Sequence, residues 1–303
     1  VSFALSTSWN ARLHDKAADI VNEIKALNLD GVELNFGLTA ELVAGFLELK
    51  EKGEISIVST HNFCPIPNEL TPQDASPDYF SLTSLNDNER SLAIHYTQRT
   101  IQTAAALGAG AVVLHCGKVT GEDKIRSLMA IYDKGGFGTP EYNALKDKMV
   151  KERSLKKDQH FAQLLLSVEE LLKTAQDNKI KLGIENRFYY LEMPTVDEIT
   201  YLLDKFDNEY IGYWHDVGHA QLFENLGFLK HMDYLEKLGD RLVGVHLHDV
   251  KGTQDHMAPG TGEFDFSLLK PYIKPDTIKV IEAHQPATAD EIRNAVDLLN
   301  KIF

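Results

Sequence analysis

Six short apolar runs finish on or beside an imidazole or a carboxylate. These are His61 in "ISIVSTH" (55–61), His115 in "AVVLHC" (111–116), Glu185 in "KLGIEN" (181–186), Asp216 in "YIGYWHD" (210–216), His246 in "LVGVHLHD" (242–249) and Glu282 in "IKVIEAH" (278–284). Carboxylates gathered in one pocket cannot all stay ionised without a compensating charge. A divalent cation supplies it, and mixed nitrogen and oxygen donors suit Zn2+, Mn2+ or Fe2+ better than Ca2+. With two cysteines, Cys64 and Cys116, the chain is too thiol-poor for a structural zinc site. Two more histidines extend the set. His219 follows Asp216 by one helical turn, and His256 lies in the Gly/Pro-rich "TQDHMAPGTGEFDF". Asp216 is also placed to cap the helix that opens at "DVGHA", a role compatible with ligation. His215 faces the other way by strand alternation and receives no role.

Residues so far apart meet only if one architecture delivers them to a common rim. Two further runs, "VSFALS" (1–6) and "GVELNF" (31–36), bring the strand-like segments to eight, with helical patterns between them. "ADIVNEIKALNLDG" puts Ile20, Ile24 and Leu27 on one face before Gly31, and "FAQLLLSVEELLKTAQDNK" and "ADEIRNAVDLLNKIF" repeat apolar residues at helical spacing. Eight strands each followed by a helix predict an α/β fold, a (β/α)8 TIM barrel, as a single domain over 1–303. Active sites of such barrels lie at the C-terminal strand ends. Long loops are expected after strands three and four, at 62–88 and 118–158, because "CPIPNELTPQDASPDYF" and "DKGGFGTPEY" are rich in breakers.

Composition narrows the partners. Hydrophobic residues make up 43% and charged residues 25%, enough to bury a core without disulfides. The net charge of −14 argues against nucleic acid, whose phosphates need clustered Lys and Arg. Residues 118–158 are the exception, with a surplus of basic residues that reads either as a solvated helix face or as a cationic lid over an anionic substrate. No segment has the length and apolarity of a membrane span, the N-terminal residues lack a signal-peptide pattern, and the sparse cysteines suit a reducing compartment. The expected location is cytoplasmic. A homo-oligomer stays open.

The ordered motifs "THN" (60–62), "LHCG" (114–117), "IEN" (184–186), "HDVGH" (215–219), "VHLHD" (245–249), "DHMAPGTGEFD" (255–265) and "IEAH" (281–284) resemble the xylose isomerase-like TIM barrel superfamily. The resemblance spans nearly the whole chain. It covers sugar and sugar-phosphate isomerases and epimerases, inosose dehydratase, and apurinic endonucleases of the endonuclease IV type. For the epimerase-like members it implies one divalent ion held by Glu185, Asp216, His246 and Glu282. For the endonuclease-like members it adds His61, His115, His219 and His256, giving one to three ions, Zn or Mn. The acidic residue expected two positions before His256 is Gln254, a poor ligand, although Asp255 lies beside it.

The resemblance thus implies a divalent-metal-dependent sugar or sugar-phosphate isomerase or epimerase acting on a small carbohydrate, neutral or anionic. In that reading Glu185 and Glu282 serve as base and acid, and His219 holds a substrate oxygen. Arg187 and Lys251 are candidates to bind an anionic group, with surface ion pairing the other reading of each. Trp214 either walls the pocket or fills core. The alternatives are a multi-zinc phosphodiester hydrolase of the endonuclease IV type and an inosose dehydratase-like lyase.

Overall fold

The computed structural model describes residues 3–303; Val1 and Ser2, which open the first apolar run, lie outside the described residues. Eight parallel strands close into a barrel. They are β1 (Ala4–Ser6), β2 (Gly31–Leu34), β3 (Ser56–His61), β4 (Ala111–Leu114), β5 (Lys181–Glu185), β6 (Ile211–Asp216), β7 (Leu242–Leu247) and, beyond a hairpin of β8 (Asp249–Lys251) and β9 (Gln254–Met257), β10 (Ile278–Ile281). The ring closes where β10 pairs with β1 through Ala4↔Val280 and Leu5↔Ile281. The strands read as unbroken apolar runs because both faces are covered, one by the barrel interior and one by helices.

The helices are set by short local signals. α1 (Ala17–Lys25) turns Ile20, Val21 and Ile24 inward, α2 (Ala40–Glu51) is capped by Thr39, and α3 (Asp87–Leu107) starts on the Asn86 cap. α3 stops at Gly108, whose φ of 72° is a left-handed conformation that glycine adopts without strain. Next come α4 (Ile125–Asp133), α5 (Pro140–Ser154), α6 (Lys157–Asn178), α7 (Val196–Phe206), α8 (Val217–Asn225), α9 (His231–Leu238) and α10 (Ala289–Ile302). Reciprocal capping boxes, Thr195 with Glu198 and Thr288 with Glu291, begin α7 and α10.

The expected alternation is corrected at two connections. The segment after β4 is not a loop, since α4 and α5 occupy most of it. Their Ile125, Leu128, Tyr142 and Met149 pack with Phe188, Leu222, Phe223 and Leu226 in a satellite core. Tyr142 Oη donates to the Leu226 carbonyl at 2.8 Å, and Arg153 forms a buried bidentate pair with Glu198 at 3.0 and 2.7 Å. Lys134, Lys148, Lys151 and Lys156 in the same segment are exposed, as on a solvated helix face. The second correction is the crossover from β7 to β10, which has no α-helix and uses the β8–β9 hairpin and a 3-10 turn at Phe266–Leu269. Residues 62–86, after β3, do form a long irregular loop.

Inside the barrel, Ala4, Ala111, Val113, Trp214, Val243 and Val280 form a small apolar cluster. Trp214 has no exposed surface. Its indole occupies space left by two glycines: a Cβ on Gly183 would fall 2.8 Å from Trp214 Cε3, and one on Gly244 would fall 2.4 Å from Cζ3. The ring meets His246 edge-on, with centroids 5.1 Å apart. Trp214 is therefore the floor beneath the site, corrected from its candidacy as a substrate contact. Trp214→Ala is expected to cost about 3–5 kcal/mol in chemical denaturation, the range for deleting a large buried aromatic. An unchanged midpoint would contradict the floor assignment.

Candidate metal centre

Parallel strands deliver the key side chains to one rim. Glu185 and Asp216 are the last residues of β5 and β6, His246 lies near the end of β7, and Glu282 follows β10 directly. All four are buried, and each offers a donor atom within 4.8 Å of the others. The focus is His246 Nδ1, which lies 2.8 Å from Glu185 Oε1, 3.0 Å from Glu282 Oε2 and 3.5 Å from Asp216 Oδ2. One ring nitrogen has a single proton or a single lone pair, so it cannot satisfy three carboxylates. Three buried carboxylates and one buried imidazole converging in this way are a donor set that fits a divalent cation.

The other face of His246 explains its orientation. Nε2 lies 3.1 Å from both oxygens of Glu33, and Ser59 Oγ donates to Glu33 Oε2 at 2.8 Å. A carboxylate behind a ligating histidine fixes its tautomer and aim. Glu33 was missed in the sequence because it sits inside an apolar strand rather than at its end; the signal was a carboxylate within a run that is buried throughout.

The electrostatics follow the same geometry. Against burial, Glu282 and Glu33 hold the His246 ring well above the usual imidazole range. Burial pushes the Glu282 carboxyl up to about 7, opposed by His246 and His256. Glu185 goes the other way: against burial, Arg187 and His115 hold it well below the ordinary carboxylate range. Asp216 is likewise held low, by His219 and His248.

Two groups flank the centre. On one side, His115 Nδ1 faces Asp78 Oδ2 at 3.2 Å, and its Nε2 is 2.9 Å from Glu185 Oε2. His61 stacks on His246 with centroids 5.7 Å apart, and its buried Nδ1 has no hydrogen-bond partner. Arg187 also belongs here. Its Nη1 donates to His115 Nε2 at 2.6 Å and pairs with Glu185, while Nη2 reaches Glu192 Oε1 at 3.3 Å and Asp78 Oδ2 at 3.6 Å. The expected substrate-anion contact is thus a buried internal cation shared by three carboxylates. Lys251, the other candidate, is exposed at the end of β8.

On the opposite side, Asp216 caps α8 by accepting the His219 amide at 2.7 Å. Asp216, His219, His248 and His256 offer donor atoms within 4.8 Å of one another. His219 Nδ1 donates to the Asn186 carbonyl at 3.0 Å, which leaves Nε2 as an acceptor. His256 Nδ1 pairs with Asp255 Oδ2 at 2.8 Å, so Asp255 partners that histidine, and it is absent from the donor groups that converge here. Asn186, also unassigned in the sequence, grips the Asp216 backbone: Nδ2 donates to its carbonyl at 2.9 Å, and Oδ1 accepts its amide at 2.8 Å. His215 turns away from the centre. It bonds to Tyr213 Oη at 2.7 Å and to His231 of α9 at 3.0 Å.

A cation binding such a preformed set stabilises the folded state by mass action, about 2.7 kcal/mol at a hundred times its dissociation constant. Zn2+ or Mn2+ is expected to raise the melting temperature by several degrees in thermal unfolding, and His246→Ala to abolish the shift. The same shift in His246→Ala would place the ion elsewhere.

The comparisons with known proteins bear on the fold. A curated relative, an uncharacterised protein of Sinorhizobium fredii, is 27% identical over 187 residues, covering 61% of this chain and 50% of its own. The match thus spans about half the length of that relative. A D-allulose 3-epimerase from Methylomonas sp., solved with D-allulose, superposes at a TM-score of 0.68 with 15% identity over 100% of this chain and 97% of its own. The IOLI protein with a zinc atom bound gives 0.68 at 14% identity, over 100% and 99%. At these identities the structural likeness is one of fold. The family model described as xylose isomerase-like TIM barrel matches residues 21–302, and the chain belongs to that family.

Proposed function

We propose that this protein is a divalent-metal-dependent sugar isomerase or epimerase that moves a proton at the carbon beside a substrate carbonyl. The observation that carries the reading is the convergence of Glu185, Asp216 and Glu282 on His246 Nδ1. Glu185, Asp216, His246 and Glu282 would hold a divalent ion, which would supply Lewis-acid polarisation of a substrate carbonyl. Glu185 and Glu282 arrive from opposite sides of His246, so one can take a proton from one face of the sugar while the other returns it to the second face. Their fixed partners differ, Arg187 and His115 beside Glu185 and His246 and His256 beside Glu282, so the two carboxylates are not equivalent. His219, with Nε2 uncommitted, is placed to hold a substrate oxygen. The fold likeness to an epimerase solved with D-allulose supports a carbohydrate substrate. Arg187 is consumed by Glu185, Glu192 and Asp78, which favours a neutral sugar over a phosphate.

A multi-zinc hydrolase is the second reading, favoured by the flanking donor groups of His61 with His115 and of His219 with His256. Arg187 counts against it, because its guanidinium already supplies the positive charge that a second ion would bring to Glu185 and His115. A lyase would share the proton-abstraction step with the isomerase. The two free cysteines, both buried, support a reducing and so cytoplasmic setting, and no helix among the described residues is long and apolar enough to cross a membrane.

Incubation with ketoses in D2O and Mn2+ or Zn2+ is expected to place solvent deuterium on the carbon beside the carbonyl. Glu185→Gln and Glu282→Gln should each slow the exchange by about 10^2–10^4-fold, the usual contribution of a general acid or base. Absence of exchange with every ketose, keto acid and inosose tried would overturn the reading. Metal analysis is expected to find one ion per chain, and two or three would transfer the case to the hydrolase.

A further inference from the structure

We propose that His248 positions the metal-ligating carboxylate of Asp216 without itself being a ligand, and that it fastens the β8–β9 hairpin to the centre. The inference rests on the metal-centre reading above. By composition and distance His248 belongs with Asp216, His219 and His256, and it would be counted as a donor. Its hydrogen bonds exclude that. The backbone amide of His256 donates to His248 Nδ1 at 2.9 Å, and an amide N–H can only donate. An imidazole that accepts at Nδ1 carries its one proton on Nε2. That nitrogen lies 2.9 and 3.0 Å from the two oxygens of Asp216, so it donates to them. Both nitrogens are committed and no lone pair faces the ion. His219 and His256 differ, since each spends Nδ1 on a protein acceptor, Asn186 and Asp255 respectively, and keeps Nε2 free.

The surrounding packing is built for this contact. A Cβ on Gly218 would fall 1.9 Å from His248 Cε1 and 2.4 Å from Nδ1, so α8 can lie over the ring only with glycine there. Gly218 of "HDVGH" and the second histidine of "HLHD" are thus two halves of one steric arrangement. On its other face the His248 ring stacks on His256 at 4.1 Å and 10°, and His256 stacks on His284 at 3.9 Å and 17°. His256 has a φ of 53°, an uncommon conformation that aims its amide at His248. Asp216 is therefore held by the start of its own helix and by a ring whose tautomer the hairpin dictates.

The test compares His248→Gln with His248→Ala in the full chain. The glutamine amide nitrogen reaches the position of Nε2 and keeps the donor to Asp216, whereas alanine removes it. Zinc titrated against a competing chelator is expected to bind about 10–100-fold more weakly in His248→Ala, the usual effect of losing such a partner. His248→Gln should recover most of that loss, with the number of ions per chain unchanged in both. Ring-15N NMR of the wild-type protein, which needs no variant to fold, should show His248 protonated at Nε2 with and without zinc. Loss of an ion in His248→Gln, zinc-induced loss of the Nε2 proton, or wild-type affinity in His248→Ala would each overturn the proposal. Failure of wild type to bind zinc would instead count against the metal-centre reading, and the tautomer would still test His248.

Discussion

Three carboxylates aimed at one imidazole nitrogen impose the condition that the rest of the structure meets. Like charges in a pocket with almost no exposed surface repel strongly, because little water remains to screen them. The chain holds His246, Glu185 and Asp216 with fixed partners, of which Arg187 is the permanent cation. Glu33 stands behind His246, Arg187 beside Glu185, and His248 and the α8 amide on Asp216. None of these partners lies on the strand of the residue it serves, except that Arg187 follows Glu185 by two positions. The centre is thus a cross-link among strands made of charge, and the barrel is the frame that keeps the charges from separating.

Much of this was legible in the sequence, for a definite reason. Parallel strands buried on both faces are apolar, so a histidine or carboxylate ending such a run stands out, and the closed barrel sends every such end to one rim. Glu185, Asp216, His246 and Glu282 were all found this way. Glu33 was not, because its run continues past it. His248 received no role, since it lies just past the end of β7 and its partners, Asp216 and the His256 amide, come from elements distant in sequence. Arg187 and Trp214 were seen and given other roles, since a lone sequence shows neither the three carboxylates around the guanidinium nor the two glycines that admit the indole. The helices after β4 were hidden by Gly-Gly and Gly-Thr-Pro, which mark the turn between α4 and α5 rather than an extended loop.

Arg187 has a wider meaning for the family's chemistry. A fixed guanidinium and a metal ion can each neutralise a carboxylate beside a histidine, but only the ion exchanges ligands and activates water. Under the proposed isomerase reading, Arg187, which contacts both Glu185 and His115, would supply the electrostatic benefit without a hydrolytic ion on that flank.

The pairing of β10 with β1 ties the centre to closure of the ring. Glu282 follows the last strand to join the ring, beside the seam where the first and last strands meet. Until that seam forms, the other three donors present an incomplete set with one side open. In the proposed metal-bound protein the complete four-donor set would therefore exist only in the closed barrel.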